Sequence, residues 1–341
     1  MPLSWVYGGA VAFTRAVRTA PLPAHAVPRI VSVGNLEVGG SGKTPLCLHL
    51  LERALQAGKR AAYVSRGFGS EAERGPLVTL VPGEEAAAPV SFAGLRIVAR
   101  DVSSLAVAIG DEGAMIARRA PVTSLLFARD KRRAVAAAAL LGAEIIVVDD
   151  AFQSFPLARH VDVLLLDAER PLANGHLLPA GRLREAPSAI ARAEVIVFNG
   201  ADDAAAVARA RDEVVRYLRR DARVYGLRRR VTLQAGNVCG ATLPADAVAV
   251  SGIARPDRFR DSVEDAGVRV AHTLAYPDHH RYIVSDVRTI QSRARGKAIV
   301  TTEKDWVKLE AFDWGEVAVW VARLEVEWVG GADIDAWLLG G

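Results

Sequence analysis

Cysteine is nearly absent from this chain. Its 341 residues hold two, Cys47 and Cys239, far apart and in no CxxC pair. That excludes a disulfide scaffold and a cysteine zinc site, and it fits a reducing compartment. Long apolar runs are missing as well. The longest uncharged stretch near the start, residues 2–14, falls short of the roughly 20 residues that cross a bilayer. No basic segment precedes it, so a cleaved signal peptide is not expected. Internal repeats and low-complexity linkers are absent. A strong charge of one sign is absent too: 43 Lys+Arg against 39 Asp+Glu leave +4. That mild excess suits anionic lipids or phosphates without being a nucleic-acid footprint, and no nucleic-acid partner is expected.

Hydrophobic residues make up 51% and charged residues 24%, enough to bury sizeable cores. At roughly 150 residues per domain, the length suggests two domains. Residues 1–28 form an apolar and basic helical segment, in which Arg15 and Arg18 follow the apolar stretch, with Arg29 just beyond. That order fits either an interfacial anchor on a membrane or a first helix packed on the domain. Beyond it, short β-branched runs alternate with longer helical patterns. Strands are predicted over 29–33, 61–65, 123–127, 144–148, 161–166 and 194–198, with helices over 44–57, 111–120, 131–141 and 204–218. The pattern is that of βαβ units and a parallel sheet with helices on both faces. Near residues 219–230 the chain turns basic and changes style. Two short strand-like segments follow, around 224–234 and 237–243, and an α/β rhythm resumes with strands at 247–251, 297–301 and 317–321. The expected division is therefore a main α/β domain over 29–225, a short β linker and a smaller α/β domain over 226–341.

The segment from Arg29 to Thr44 runs from a β-branched strand through a glycine-rich turn into an amphipathic helix, which is the context a P-loop needs. Gly39, Gly40 and Gly42 let backbone N–H groups of Glu37, Val38, Ser41 and their neighbours curl around phosphate oxygens. Lys43 is placed to reach the β- and γ-phosphates, Thr44 to ligate Mg²⁺, and the helix N-terminus adds its dipole. Glu37 stands where the strict motif has glycine. An acidic partner for the Mg²⁺ is expected at the end of another apolar strand. The Asp149–Asp150 doublet is favoured over Asp167. The strand ending at Phe198 leads into Asn199-Gly200-Ala201-Asp202, which lacks the lysine of a guanine-reading N-K-x-D. ATP is therefore the expected nucleotide.

A second cluster follows from the demands of phosphoryl transfer to an alcohol, which uses a carboxylate to receive the hydroxyl proton. Asp111, in Gly110-Asp111-Glu112-Gly113, opens a predicted helix after an apolar run. A base and a helix cap are equal readings of it. Tyr276-Pro277-Asp278-His279-His280-Arg281-Tyr282 gathers imidazole and phenol groups around a turn. Adjacent histidines on one loop point apart, so one is read as a hydrogen-bonding or proton-relay group and its neighbour as structural. The loop over 174–185 carries His176, Arg182 and Arg184, an anion-binding surface or a solvated one.

Together these pieces resemble one family, the tetraacyldisaccharide 4′-kinases. The resemblance rests on Val33 through Pro45, Ser65-Arg66-Gly67-Phe68-Gly69, Gly110-Asp111-Glu112 and Asp149-Asp150-Ala151-Phe152-Gln153. It continues through Leu178-Pro179-Ala180-Gly181…Leu183-Arg184-Glu185, Tyr276-Pro277-Asp278-His279-His280 and Thr301-Thr302-Glu303-Lys304-Asp305. The family's loop also lacks the first P-loop glycine. The resemblance implies a P-loop kinase that moves the γ-phosphate of ATP to the 4′-hydroxyl of a tetraacylated glucosamine disaccharide 1-phosphate. It implies a peripheral enzyme on the cytoplasmic face of the inner membrane, held there by the N-terminal segment, with no obligate protein partner. It further implies Asp111 as base, His279 as its partner, and Asp149 and Asp150 on the magnesium side; Arg66, Arg182 and Arg184 are candidates for the substrate's 1-phosphate. The chain departs from the family pattern at Phe68, Gly113, Ala151 and Arg182. The alternative from another class is a P-loop ATPase that acts as a switch for a protein partner.

Overall fold

The computed structural model describes residues 28–39, 42–67, 70–74, 77–80, 95–97, 102–121, 123–155, 157–238, 242–331 and 333–340. The N-terminal segment, Gly40, Ser41, Phe68 and Cys239 lie outside them. Among the described residues the strands form one mixed sheet of thirteen. In chain order they are β1 (Arg29–Asn35), β2 (Ala61–Ser65), β3 (Leu77–Leu80), β4 (Leu95–Ile97), β5 (Ser124–Phe127), β6 (Ile145–Asp149), β7 (Val161–Asp167) and β8 (Val195–Asn199). Then follow β9 (Arg223–Ala235), β10 (Asp246–Ser251), β11 (Arg269–Ala275), β12 (Ala298–Thr302) and β13 (Val319–Val329). The α-helices longer than four residues are α1 (Lys43–Gln56), α2 (Val102–Arg119), α3 (Lys131–Leu140), α4 (Ala204–Val214), α5 (Pro256–Asp265), α6 (Val284–Ala294), α7 (Glu303–Leu309) and α8 (Ile334–Leu338).

Alternation along the central strands explains why both faces are covered. Val31 and Val33 of β1, Val147 of β6 and Val163 and Leu165 of β7 face one core with Leu46, Leu50 and Leu51 of α1 and Ile116 of α2. Their neighbours Ile30, Ile146 and Val148 face the opposite core, against Ala134 and Ala138 of α3. Leu164, Leu166, Ile196 and Phe198 do the same against Ala210 and Val214 of α4. A strand buried on both faces reads as a continuous apolar run, and these do.

The strand order is β11-β10-β12-β13-β9-β8-β7-β1-β6-β2-β5-β3-β4. β1 lies between β6 and β7, parallel to both, so the turn after it opens at the crevice where connections diverge to either side, a place where open α/β sheets bind ligands. Two features depart from the sequence expectation. Of the two short strand-like segments, the first, predicted around 224–234, is β9, which runs through the expected boundary at residue 225; the second, around 237–243, is not a strand in its described residues. β9 pairs parallel with β8 and antiparallel with β13 over Gly226–Ala235, making the sheet continuous. And Asp111 does not follow a strand: α2 begins at Val102 and is interrupted at Gly110, whose φ of 83° and ψ of 164° break the helix.

The short α8 closes the back of the P-loop helix. Asp335, 7% exposed, has His49 Nε2 at 3.0 Å, Arg53 Nε at 3.1 Å and Trp328 Nε1 at 2.8 Å. Burial works to raise its pKa, but the hydrogen bond with His49 and the charge of Arg53 leave it below the usual 3.8. A carboxylate whose folded pKa is depressed stabilises above its unfolded pKa and loses that contribution as pH falls. Asp335→Asn should therefore cost about 1–3 kcal/mol at pH 7. The gap from the wild type should close below about pH 4 in urea unfolding curves.

Candidate active site

Gly42 caps α1 at φ 81°, and a Cβ there would stand 2.3 Å from Asn199 Nδ2 at the end of β8. Only glycine fits both the conformation and the approach. Lys43 follows, with Nζ 3.1 Å from Asn35 Oδ1 and 3.4 Å from Asp150 Oδ1. The loop over 174–185 braces the other arm of this turn. Val38 N donates to Arg182 O at 2.9 Å, Arg182 Nη2 donates to Val38 O at 2.8 Å, and Arg182 Nε lies 3.5 Å from Glu37 Oε2. Burial raises the Glu37 pKa although Arg182 opposes it.

Thr44 Oγ1 lies 3.2 Å from Asp149 Oδ2 and 3.3 Å from Glu112 Oε2. Tyr63, fully buried, donates its hydroxyl to Asp149 Oδ2 at 2.8 Å; burial and the Asp149 charge push the phenol well above its ordinary pKa, so it remains a donor. Asp149 Oδ1 is buried and carries no hydrogen bond. A hard cation suits such a place, where one or two carboxylates and a hydroxyl converge beside a phosphate loop. Packing around the Glu112 carboxylate, and then the Asp149 charge, raise its pKa. The sequence motif around Glu112 gives it no role.

Asp150 is placed differently from Asp149. Its backbone sits at φ 48°, and both carboxylate oxygens accept from Arg184 Nη1, at 2.8 and 2.9 Å. Desolvation opposes ionisation, but Lys43 and Arg184 hold its pKa below the usual value. Lys131 donates to the carbonyls of both aspartates, and burial pulls its pKa down to about 8. The positive φ falls on Asp150 and not on Ala151, which is why alanine is accommodated there. Gly113 packs with a Cβ position 2.8 Å from the Phe127 ring, so a larger residue there would displace it.

The break at Gly110 turns Asp111 toward the loop after β11. His279, at φ 60°, a strained conformation of the kind that collects at functional sites, places Nδ1 3.2 Å from Asp111 Oδ2. Lys308 Nζ reaches the same oxygen at 3.0 Å. Desolvation works to raise Asp111, but the His279 hydrogen bond and Lys308 outweigh it and keep its pKa below the ordinary value. His280 points away: its Nε2 meets Asp286 Oδ2 at 2.9 Å, and its ring stacks on Tyr276 at 4.8 Å. A small cavity of about 70 Å³, lined by Tyr63, Gly110, Asp111, Glu112 and His279, opens beside the pair.

On the far side of the P-loop lies a larger cavity of about 360 Å³. Glu37, Gly39, Asp167, Asn199 and the arginines 182, 229, 255 and 258 line it. Burial, and then Arg258, lower the Arg229 pKa. Asn199 stands in an N-G-A-D context that gives it no role, and the arginines at 229, 255 and 258 carry no local motif. Of the candidate 1-phosphate ligands, Arg182 and Arg184 are engaged with the P-loop and Asp150. Arg66 pairs with Glu73 at 3.2 Å.

The sequence profile of the family described as Tetraacyldisaccharide-1-P 4'-kinase matches residues 1–340. The chain belongs to that family. A tetraacyldisaccharide 4'-kinase of Anaeromyxobacter dehalogenans (strain 2CP-C) is 38% identical over 327 residues, spanning 91% of this chain and 81% of that protein. One from Parvibaculum lavamentivorans is 34% identical over 315 residues, spanning 90% and 80%. Among solved structures, LpxK from Aquifex aeolicus, determined in complex with ATP, superposes with a TM-score of 0.70 at 23% identity, covering 98% of this chain and 96% of that one. The chain is thus a kinase with the mostly parallel, helix-covered sheet of its family. Among the described residues no helix is long and apolar enough to cross a membrane.

Proposed function

We propose that this kinase transfers the γ-phosphate of ATP to the 4′-hydroxyl of a tetraacylated glucosamine disaccharide 1-phosphate, with Asp111 as the base. The observation that carries the assignment is the pair of sites on either side of one P-loop. A polar, arginine-rich cavity of nucleotide dimensions lies on one side, and the Asp111–His279 pair lies on the other, one residue from the Glu112 contact with Thr44.

The larger cavity takes the nucleoside, with Asp167 and Asn199 at its floor. The backbone of residues 37–42 cradles the phosphates, and Lys43 leaves Asp150 to meet the γ-phosphate as charge develops on it. Thr44 and Asp149 would hold Mg²⁺, with Glu112 facing the same space; the ion offsets phosphate charge when bound. Asp150, tied to Arg184 and Lys43, acts in this scheme by holding the lysine beside the loop until the phosphate takes it over. Asp111 accepts the proton of the sugar hydroxyl as it attacks, while His279 keeps its carboxylate turned toward the acceptor.

The acceptor's acyl chains hold it in a bilayer, each buried CH₂ contributing about 0.8 kcal/mol. The reading therefore places the enzyme peripherally on the cytoplasmic face of the inner membrane, with residues 1–28 as its contact and residues 226–341 as a lobe that closes over the nucleotide. The test is a thin-layer assay with γ-labelled ATP, Mg²⁺ and tetraacyldisaccharide 1-phosphate in mixed micelles. Label in the lipid, dependent on Asp111, is the expected result. Inorganic phosphate alone, at a rate indifferent to lipid, would favour an ATPase switch instead.

A further inference from the structure

The Asp111–His279 pair does not stand alone. Helix α7, from the other half of the sheet, presents Lys304 and Lys308 four residues apart, hence on one helix face. Lys304 Nζ lies 3.2 Å from His279 Nε2, and Lys308 Nζ lies 3.0 Å from Asp111 Oδ2. One face of one helix thus addresses both members of the pair.

The donor inventory makes the contacts informative. An ammonium group only donates, so the Nε2 facing Lys304 must be the unprotonated nitrogen of the ring. The proton is then on Nδ1, which donates to Asp111 Oδ2. Lys308 donates to that same Oδ2, and among the described residues Asp111 Oδ1 has no hydrogen bond. Two donors on one oxygen fix the carboxylate rotamer and leave the other oxygen to face the 70 Å³ cavity.

Lys308 is itself held. Its side chain is 9% exposed, Asp305 Oδ1 lies 3.3 Å from Nζ, and the Tyr282 ring is 5.5 Å away. Asp305 is fully buried and accepts from Gly252 N at 2.9 Å and from the Thr302 hydroxyl at 2.8 Å. Lys304 is steadied by Asp278 at 3.5 Å. The chain of contacts runs from the end of β10 through α7 to the base. α7 also packs along α2, with Arg119 bridging Glu52 at 2.8 Å and Glu303 at 3.4 Å.

We propose that Lys308 and Lys304 are positioning residues for the phosphoryl transfer, Lys308 fixing the Asp111 carboxylate and Lys304 fixing the His279 ring in its Nδ1–H form. The proposal rests on Asp111 being the base. It is the logic of a third group orienting a catalytic pair, with two lysines in that role. A small displacement of an aligned base is costly to rate, and loss of either contact permits one.

The experiment compares Lys308→Met, Lys304→Met and Asp111→Asn in the full chain, each first checked for an unchanged thermal midpoint. Lys308→Met should lower kcat by about 10–100-fold with KM for ATP unchanged, and Lys308→Arg should recover part of the loss. In ¹⁵N spectra at pH 8, wild-type His279 should show a protonated Nδ1 and a bare Nε2, and Lys304→Met should show a mixture. If Asp111→Asn keeps wild-type turnover, the base assignment itself falls. If Asp111→Asn is slow while Lys308→Met is as fast as wild type, the role of Lys308 falls alone. A protonated Nε2 in the wild type overturns the Lys304 contact, even if Lys308→Met unfolds.

Discussion

Asp111→Asn should slow lipid phosphorylation by about 10²–10⁴-fold, the usual contribution of a general base. Asparagine preserves the shape of the side chain and still offers an oxygen to His279 Nδ1 and Lys308 Nζ, now 3.2 and 3.0 Å from Asp111 Oδ2. What it cannot do is take the proton. Its ordinary partners hold the wild-type carboxylate ionised, since His279 and Lys308 outweigh the desolvation of the site. ATP affinity should stay unchanged, because the cavity proposed for the nucleotide is bounded by Glu37, Asp167, Asn199 and arginines on the opposite side of the P-loop. Single-turnover transfer of label and calorimetric titration with ATP measure the two quantities separately. A collapse of ATP affinity would move Asp111 to the nucleotide side. His279→Ala should show a smaller loss that adds little in an Asp111→Asn background, because the ring acts through the carboxylate.

The parts of this molecule that were legible in its sequence are those whose signal is local. β2 falls where its apolar run predicts, at 61–65, and β1, β6, β7 and β8 are offset by only a residue or two at their ends. Each is buried on both faces, so its composition is set by packing alone. β9 also lies within a residue of its predicted span, 224–234, although it carries Arg228, Arg229 and Arg230 on a largely exposed stretch. β11 was harder for the opposite reason: it is an edge strand with Arg269, His272 and Thr273, without the apolar pattern that a buried strand requires. The helix predicted over 111–120 does open at Asp111, but the apolar run ahead of it is itself helical from Val102. Only the backbone of Gly110, at φ 83°, reveals a break between two helical halves.

The same division runs through the site. Lys43, Thr44, Asp149, Asp111 and His279 lie in compact motifs whose chemistry can be argued from neighbours in sequence. Tyr63, Lys304 and Lys308 meet groups 25 to 197 positions away, and no local motif gives them a role. Lys304 stands in Thr301-Thr302-Glu303-Lys304-Asp305, a segment that carries the family resemblance without giving the lysine a role. Its meaning depends on which side chain the fold brings to its ammonium group.

Lys43→Ala should cut transfer by at least about 10³-fold, the upper range for removing one preorganised group that meets developing charge. The lysine's present contacts explain both the size of the effect and its specificity. Nζ rests between Asn35 Oδ1 at 3.1 Å and Asp150 Oδ1 at 3.4 Å, a position at the base of the phosphate loop from which a four-carbon stem reaches the γ-phosphate. Alanine leaves the transferring group without that cation, and no neighbour can replace it: Arg184 is committed to Asp150, and Lys131 to the carbonyls of Asp149 and Asp150. Asp150 keeps Arg184 at 2.8 Å, so the fold has no uncompensated carboxylate and the thermal midpoint should move little. Lys43→Arg should not restore activity, because the guanidinium is larger than the ammonium that Asn35 and Asp150 enclose. Rate, ATP affinity and thermal midpoint measured on one preparation decide the matter. Turnover within tenfold of wild type in Lys43→Ala would mean that the glycine-rich turn is not a phosphate loop, and the nucleotide would have to bind elsewhere.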